Sequence, residues 1–125
     1  MKEGKHVILV VDDDQDVREG LRVMLESGGY AMAEAPSAED AKKVYDKEKP
    51  ELLIVDMMME NIDSGLSLIR DIRGKGFAGP IYVLSSVGDE LSRHTGSGDL
   101  KVAGILQKPV NREFLLRLMD NNFKK

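Results

Sequence analysis

The chain has no cysteine, and its two histidines, His6 and His94, stand far apart in the sequence. Without cysteine there is neither a disulfide framework nor a thiolate nucleophile, and a cytoplasmic location is the simplest expectation. Two separated histidines also argue against a histidine-based zinc site. Any metal site would therefore have to use oxygen ligands.

Long hydrophobic runs are missing as well. No apolar stretch approaches the roughly 20 residues of a membrane span. The first apolar run, "VILVV", leads into acids instead of the small-residue cleavage site of a secretion signal. The balance of 18 Lys and Arg against 22 Asp and Glu leaves a net charge of −4, which argues against nucleic acid or anionic membrane as the main partner. We expect no membrane association and no direct nucleic acid binding.

What the sequence does contain is a set of short apolar runs. Four of them, at 7–11, 52–55, 81–84 and 102–106, are rich in Val, Ile and Leu and bounded by polar residues or Gly. Such runs are typical of parallel strands buried on both faces. A fifth segment, 30–35, alternates Ala with larger or polar side chains and suits an edge strand.

Helical patterns separate these strands. The first helix should stop near Gly28, the second should begin at Ser37, the third should run from about Gly65 to Arg73, and the last should be capped by Asn111. Repeated β-then-α order implies right-handed crossovers and helices on both faces of the sheet. The 125 residues therefore predict one α/β domain over 1–125, with a doubly wound five-stranded parallel sheet.

One segment departs from this pattern. Residues 88–101, "GDELSRHTGSGDLK", contain three Gly and few large apolar side chains. Each interior Gly costs a helix about 1 kcal/mol relative to Ala. We expect an atypical, short or frayed fourth helix, which is either a tolerant surface loop or a segment that a partner or ligand orders.

Polar side chains follow the ends of the predicted strands. Parallel strands bring their carboxyl ends to one edge of a sheet, where ligands bind. Ionised carboxylates that cluster there need a cation, and an all-oxygen ligand set favours Mg²⁺. The residues expected at this edge are Asp12, Asp13, Asp14, Asp56, Ser85, Ser86 and Lys108.

Each of these residues also has an ordinary structural explanation. The three acids at 12–14 could cap a helix and interact with its dipole. Asp56 could be a turn residue, Ser85 and Ser86 could form ordinary turns, and Lys108 could be a solvated surface residue. Only their occurrence together at consecutive strand ends favours a functional site.

Four motifs at these strand ends identify a resemblance. The stretches "LVVDDD", "LLIVDMMM", "PIYVLSS" and "LQKP" resemble the receiver domains of bacterial two-component response regulators, from His6 to about Phe123. The resemblance, and not the periodicity, implies the strand order 2-1-3-4-5. It also implies Mg²⁺ as cofactor and a cis peptide bond before Pro109.

The resemblance assigns roles to individual residues. Asp56 would be the phosphoryl acceptor. Asp13 would bind Mg²⁺ directly and Asp12 mainly through water, with Asp56 and the backbone carbonyl of Met58 as further ligands. The hydroxyl of Ser85 would turn toward the phosphoryl group, and the amine of Lys108 would bridge to it.

These roles imply a signalling function. A sensor histidine kinase or phosphotransfer protein would donate the phosphoryl group to Asp56, and a partner-binding surface would switch in response. The chain would then not be an enzyme, beyond catalysing its own phosphorylation and dephosphorylation. No output domain is expected within residues 1–125, and the sequence names neither the kinase nor the downstream partner.

Several positions differ from the usual receiver pattern. Ile105 stands where most receivers have an aromatic switch residue on the last strand. Met58 and Val87 stand where polar side chains can orient an attacking water, so we predict a long-lived phosphoryl group. Ser86 is a further expected modulating position. Glu60 and the placement of Gly65 predict an altered loop after Asp56.

Two other functions stay open at this point. The "DDD" at 12–14 also fits the paired acids of haloacid-dehalogenase-type phosphatases, in which Asp12 would be the nucleophile. A pseudo-receiver, a binding module that no longer takes phosphate, is the other alternative.

Overall fold

The computed structural model describes residues 4–56, 62–86 and 102–123, with the backbone alone at positions 62, 63 and 86. We number strands and helices in the order in which they occur in these ranges. They are β1 (Val7–Val11), α1 (Gln15–Ser27), β2 (Ala31–Ala35), α2 (Ala38–Glu48), β3 (Leu52–Asp56), α3 (Ile62–Gly74), β4 (Ile81–Ser86), β5 (Gly104–Lys108) and α4 (Arg112–Phe123).

The five strands form one parallel sheet in the order β2-β1-β3-β4-β5. This confirms the predicted fold class, including the edge position of the strand predicted at 30–35. The predicted short fourth helix at 88–101 lies outside the described residues. No helix in the described part of the chain has both the length and the apolarity needed to cross a bilayer.

Alternate strand residues point to opposite faces of the sheet. Because the side chains on both faces are apolar, helices cover both. On one face, Val7, Leu9 and Val11 pack with side chains of α2 and α3. On the other face, Ile8 and Val10 pack with side chains of α1 and α4. All residues of β1 and β3 are buried, which explains why their sequences are continuous apolar runs up to Asp56, the acid that ends β3.

Side-chain caps begin three of the helices where the sequence predicts short polar residues. Asp14 Oδ1 accepts from the N–H groups of Asp16 and Val17 at 2.9 and 3.4 Å. Ser37 Oγ accepts from Asp40 N at 3.2 Å. Asn111 Oδ1 accepts from Phe114 N at 2.9 Å. These bonds satisfy N–H groups that have no partner inside the first turn.

Two predicted boundaries were wrong. The third helix begins at Ile62 and not near Gly65. Gly65 is its fourth residue and is buried, so this glycine packs inside the first turn and does not mark the start of the helix. The last strand runs from Gly104 to Lys108 and not from 102 to 106. Its pairing with β4 places Lys108 opposite Ser86, so long-range register overrode the apolar pattern.

The amino edge of the sheet is held by paired contacts. Glu51 Oε1 pairs with His6 Nδ1 at 2.7 Å, and Glu51 Oε2 accepts from Val7 N at 2.9 Å. The His6 ring stacks on Phe123 with centroids 4.2 Å apart. Burial favours the neutral acid, but the bonds from His6 and Val7 outweigh it and lower the pKa of Glu51.

A turn close to this edge has no room for a side chain. A Cβ at Gly79 would lie 2.6 Å from the carbonyl oxygen of Glu51 and 2.7 Å from Cζ of Phe77. Arg73 holds the turn in place, because its Nη1 donates to the carbonyls of Phe77 and Gly79 at 2.9 and 2.7 Å. Neither backbone nor ring can therefore move away cheaply.

We expect Gly79→Ala to destabilise the protein. Overpacking costs about 1–3 kcal/mol, which exceeds the roughly 0.4–1 kcal/mol gained by restricting the unfolded chain. Urea unfolding should show a net loss of about 1–2 kcal/mol. Gly74→Ala is the matched control, since nothing lies within 4 Å of its added Cβ; equal effects of the two changes would contradict the clash.

The bonds to Glu51 should make stability depend on pH. Because the pKa of Glu51 is lowered on folding, its charged form stabilises the protein above the ordinary value of 4.5, and this contribution disappears as pH falls through the lowered pKa. Glu51→Gln should therefore be less stable than the parent at neutral pH, and the difference should shrink in acid. Urea unfolding across this range, with Glu19→Gln as the exposed-acid control, measures it; a difference that grows in acid would contradict it.

Candidate functional site

Four side chains that the sequence predicts to be functional meet at the carboxyl edge of the sheet. Asp12 directly follows β1, and its N–H still pairs with the carbonyl of Ala35 on β2 at 3.1 Å. Asp56 is the last residue of β3, Ser85 lies in β4, and Lys108 ends β5. The strand order brings these four ends together although 96 positions separate Asp12 from Lys108 in the numbering (108 − 12).

Lys108 links the two buried acids. Its Nζ lies 3.1 Å from Asp12 Oδ2 and 3.3 Å from Asp56 Oδ2. Asp12 is fully buried and Asp56 is 3% exposed, so both carboxylates depend on groups within the protein for stabilisation. The ammonium is itself largely covered, with 24% of the side chain exposed. One cation thus serves two carboxylates with little help from water.

A third acid completes a possible metal site. One carboxylate oxygen each from Asp12, Asp13 and Asp56 lie within 4.8 Å of one another. Asp12 Oδ2 is buried and pairs with the ammonium of Lys108 at 3.1 Å. Three acids against one ammonium, with an all-oxygen donor set, fit a hard divalent cation.

The pKa values of Asp12 and Lys108 are both raised. This disfavours the charged form of Asp12 and favours the charged form of Lys108. Burial raises the pKa of Asp12, and the charge of Asp56 adds to this, while the Asp14 N–H and Lys108 act against it. Burial would lower the pKa of Lys108, but its contacts with Asp12 and Asp56 together raise it. The two shifts are consistent with each other. Two acids stabilise the charge of Lys108, whereas the two acids share one ammonium and repel each other.

The three consecutive acids take different roles. Asp12 Oδ1 accepts from Asp14 N at 2.9 Å, which turns the chain back after β1. Asp14 is the N-cap of α1, so the ordinary structural explanation holds for this residue. Asp13, between them, is exposed and belongs to the acid cluster. The "DDD" stretch therefore supplies both a helix start and two candidate metal ligands.

The remaining predicted site residues are only partly covered by the structure. Ser85 is buried beside the acid-bearing strand, and Ser86 is described by its backbone in β4. Ile105 is half-buried on β5, opposite Val83. The Lys108-Pro109 peptide bond is cis, as the resemblance implies. Met58, Glu60 and Val87 lie outside the described residues, so the carbonyl ligand, the altered loop and the long-lived phosphoryl group stay predictions.

Sequence reasoning missed one residue that contacts the site backbone. Arg18 Nη1 donates to the carbonyl of Asp12 at 2.7 Å, and Arg18 Nε donates to Glu34 Oε1 at 2.7 Å. The only signal in the sequence was Glu34, the single charged residue of the strand "AMAEA". Its pairing with an arginine on a neighbouring helix could not be read from spacing along the chain.

Comparisons with known proteins agree with this geometry. The family model for the response regulator receiver domain matches residues 8–120. Response regulator MprA of Mycobacterium tuberculosis is 38% identical over 112 residues, which cover 90% of this chain and 48% of that protein. MprA of Mycobacterium ulcerans is also 38% identical, over 47% of its length. The chain spans about half the length of these curated relatives.

Solved structures show the same fold. A putative response regulator from Chloroflexus aurantiacus superimposes with a TM-score of 0.81 at 30% identity, covering 97% of this chain and 99% of that one. Chemotaxis protein CheY4 of Vibrio cholerae has a TM-score of 0.83 at 22% identity, covering 96% and 100%, and supports the fold alone. With the family match and the acid-bearing strand ends, these likenesses show that the chain belongs to the response regulator receiver domain family of two-component systems.

Proposed function

We propose that this receiver domain accepts a phosphoryl group on Asp56 in a Mg²⁺-dependent transfer, and that the new group switches a partner-binding surface. The observation that carries the proposal is the position of Asp56, nearly buried at the end of β3, with Lys108 Nζ at 3.3 Å and two further acids at the same edge. The donor would be a histidine kinase or phosphotransfer protein, or a small acyl phosphate.

The chemistry requires little covalent machinery from the protein. An oxygen of the Asp56 carboxylate attacks phosphorus, and the bond from phosphorus to the donor histidine nitrogen breaks, with the electron pair leaving on the imidazole. The product is a mixed anhydride on Asp56. Lys108 already bridges Asp56 and Asp12, so its ammonium can pair with the transferred oxygens without a large movement.

Asp12, Asp13 and Asp56 would hold Mg²⁺, together with the carbonyl of Met58 that the resemblance implies. When bound, the cation would neutralise negative charge on the transferring phosphoryl oxygens. The chain's own residues fix the geometry: Asp12 is held at its N–H by Ala35 and at Oδ1 by Asp14 N. Such preorganisation spares the site from rearranging during transfer.

The switch would begin with new acceptors at Asp56. A phosphoryl group adds about two negative charges and three acceptor oxygens, and the Ser85 hydroxyl on the adjacent strand can donate to one of them. Ser85 and Ser86 lie opposite Gln107 and Lys108 of β5. Movement of these two serines would therefore also move β5. Ile105 on β5 has no ring to reorient, so we propose that the strand itself, and not an aromatic flip, carries the change.

The scope of the proposal follows the receiver family. Residues 1–125 would act as one receiver unit that catalyses only its own phosphorylation and dephosphorylation, with an output partner that the chain does not identify. The family match does not favour the phosphatase alternative. A pseudo-receiver would share the fold but would take no phosphate.

Labelling with acetyl phosphate in Mg²⁺ buffer tests the proposal. Intact-mass analysis should show one added phosphoryl group in the parent, none in Asp56→Asn, and none when the metal is chelated. Retention of the label by Asp56→Asn with modification at Asp12 would instead indicate a phosphatase-type nucleophile. No added mass, together with an amide spectrum that beryllofluoride and Mg²⁺ leave unchanged, would indicate a pseudo-receiver.

The charge of Asp12 should cost stability when no cation is present. An acid whose pKa is raised on folding destabilises the folded state above that pKa, and the penalty fades as pH falls toward its ordinary value. In metal-free buffer at pH 7, Asp12→Asn should therefore be more stable than the parent, because the buried charge and its repulsion with Asp56 are removed while Lys108 keeps its contact with Asp56. This advantage should shrink in acid.

Urea unfolding with and without Mg²⁺ measures this effect. At about 100 times its dissociation constant, a bound cation adds about 2.7 kcal/mol to the parent and should add less to Asp12→Asn. Asp13→Asn is the control, since the same change at an exposed acid should alter metal-free stability less. A metal-free Asp12→Asn variant that is less stable than the parent would contradict the charge penalty.

A further inference from the structure

A hydrogen-bonded chain of charged side chains connects the acid-bearing loop to the edge of the sheet. Arg18, in the first turns of α1, extends back toward the end of β1 and donates from Nη1 to the carbonyl oxygen of Asp12 at 2.7 Å. The same guanidinium donates from Nε to Glu34 Oε1 at 2.7 Å. Arg18 thus makes a bridge between the β1–α1 loop and strand β2.

Glu34 is fixed from a second side. Arg22, one turn further along α1, pairs with the other carboxylate oxygen of Glu34 and donates to the carbonyl of Met32 at 3.3 Å. The bonds from Arg18 first, and then from Arg22, lower the pKa of Glu34. The side chain of Arg18 is 13% exposed, against 34% for Arg22, so the inner arginine is the one held away from water.

The carbonyl that Arg18 binds has a special place in the chain. It belongs to the peptide group that joins Asp12 to Asp13, both members of the acid cluster. Rotation of that peptide plane would change the direction in which Asp13 leaves the strand. Asp12 N and Asp12 Oδ1 are already fixed by Ala35 and Asp14, and the bond from Arg18 fixes the carbonyl oxygen of Asp12 as well.

We propose that Arg18 is a positioning residue for the metal site, which it serves by locking the Asp12–Asp13 peptide, with Glu34 as the anchor that holds its guanidinium. This role rests on the proposed function, since it presupposes that Asp12 and Asp13 bind Mg²⁺. Arg18 does not contact the cation or the phosphoryl group. It fixes the positions of Asp12 and Asp13 before the cation or the phosphoryl group binds.

Electrostatics and positioning predict opposite results for the loss of Arg18. Arg18 is a cation near an acid cluster, so charge alone predicts that its removal strengthens Mg²⁺ binding. Positioning predicts that removal weakens binding, because the Asp12 carbonyl loses its donor and the peptide gains freedom. The sign of the change therefore separates the two effects.

Arg18→Met and Arg22→Met are a matched pair for this test. Both remove one guanidinium that contacts Glu34, both keep an unbranched side chain suited to a helix, and only the first removes a donor to Asp12. Mg²⁺ titration calorimetry on the unphosphorylated protein should show a dissociation constant about 10-fold higher for Arg18→Met, as for other groups that orient metal ligands. Arg22→Met should stay within about 2-fold of the parent, because a partly exposed ion pair contributes little and the donor to Asp12 is kept.

A second readout distinguishes positioning from general loss of stability. In acetyl phosphate labelling of Arg18→Met, the half-saturating Mg²⁺ concentration should rise about 10-fold, while the labelling rate at saturating Mg²⁺ stays close to that of the parent. Arg18→Lys keeps the positive charge but replaces the two nitrogens that contact Asp12 and Glu34 with a single ammonium. It should give an intermediate dissociation constant and is the fallback if Arg18→Met does not fold.

The outcomes are separable. If the parent binds Mg²⁺ and Arg18→Met binds it equally well or more tightly, the positioning role is overturned and the proposed function stands. Equal weakening by Arg18→Met and Arg22→Met would also overturn it, because the effect would then belong to the charge network and not to the Asp12 carbonyl. A parent chain that takes up no Mg²⁺ would overturn the proposed function itself.

Discussion

Three carboxylates and one ammonium share the carboxyl edge of the sheet, and the rest of the site depends on how their charges are balanced. Lys108 lies within 3.3 Å of both buried acids, yet it brings one positive charge to a cluster of three negative ones. Burial makes each charge more costly than it would be in water. Three acids and one ammonium leave the cluster with a net negative charge, which the divalent cation of the proposed function would offset.

The sheet places its stabilising contacts and its acid cluster in different regions. Its amino edge is closed by mutually satisfied groups: Glu51 pairs with His6 and with the N–H of Val7, and His6 stacks on Phe123. Its interior is a continuous apolar layer in β1 and β3. Among the described residues, three acids lie together at the opposite edge, where the strands end. A well-packed core can tolerate that local cost, as sites built for function commonly require.

Much of the fold could be predicted because its signals are local. Runs such as "VILVV" and "LLIV" indicate strands buried on both faces, and Ser37 and Asn111 mark helix starts that the structure confirms. The position of β5 could not be predicted in the same way. Pairing with β4 decides that Lys108 ends the strand opposite Ser86, and that pairing joins residues more than twenty positions apart.

The candidate site also contains residues that local sequence signals predict and contacts that depend on the folded structure. Asp12, Asp56, Ser85 and Lys108 were predicted from strand ends, since the geometry of any parallel sheet brings such ends together. The role of Asp14 as a cap, as distinct from its neighbours, required the hydrogen bonds themselves. The contact of Arg18 with the Asp12 carbonyl was beyond sequence reasoning, because a backbone acceptor leaves no trace in residue types.

That contact shows how the edge strand takes part in a site to which it contributes no ligand. β2 carries Glu34, Glu34 holds Arg18, and Arg18 holds the peptide between two acids of the cluster. Arg18 and Arg22 also keep Glu34 paired on the open side of the sheet, so the same contacts place charged side chains along an edge strand, which discourages pairing with another chain. One ion-pair network thus protects the edge of the sheet and orders the loop that would receive the metal. This explains physically why an otherwise small and apolar strand carries a single acid at this position.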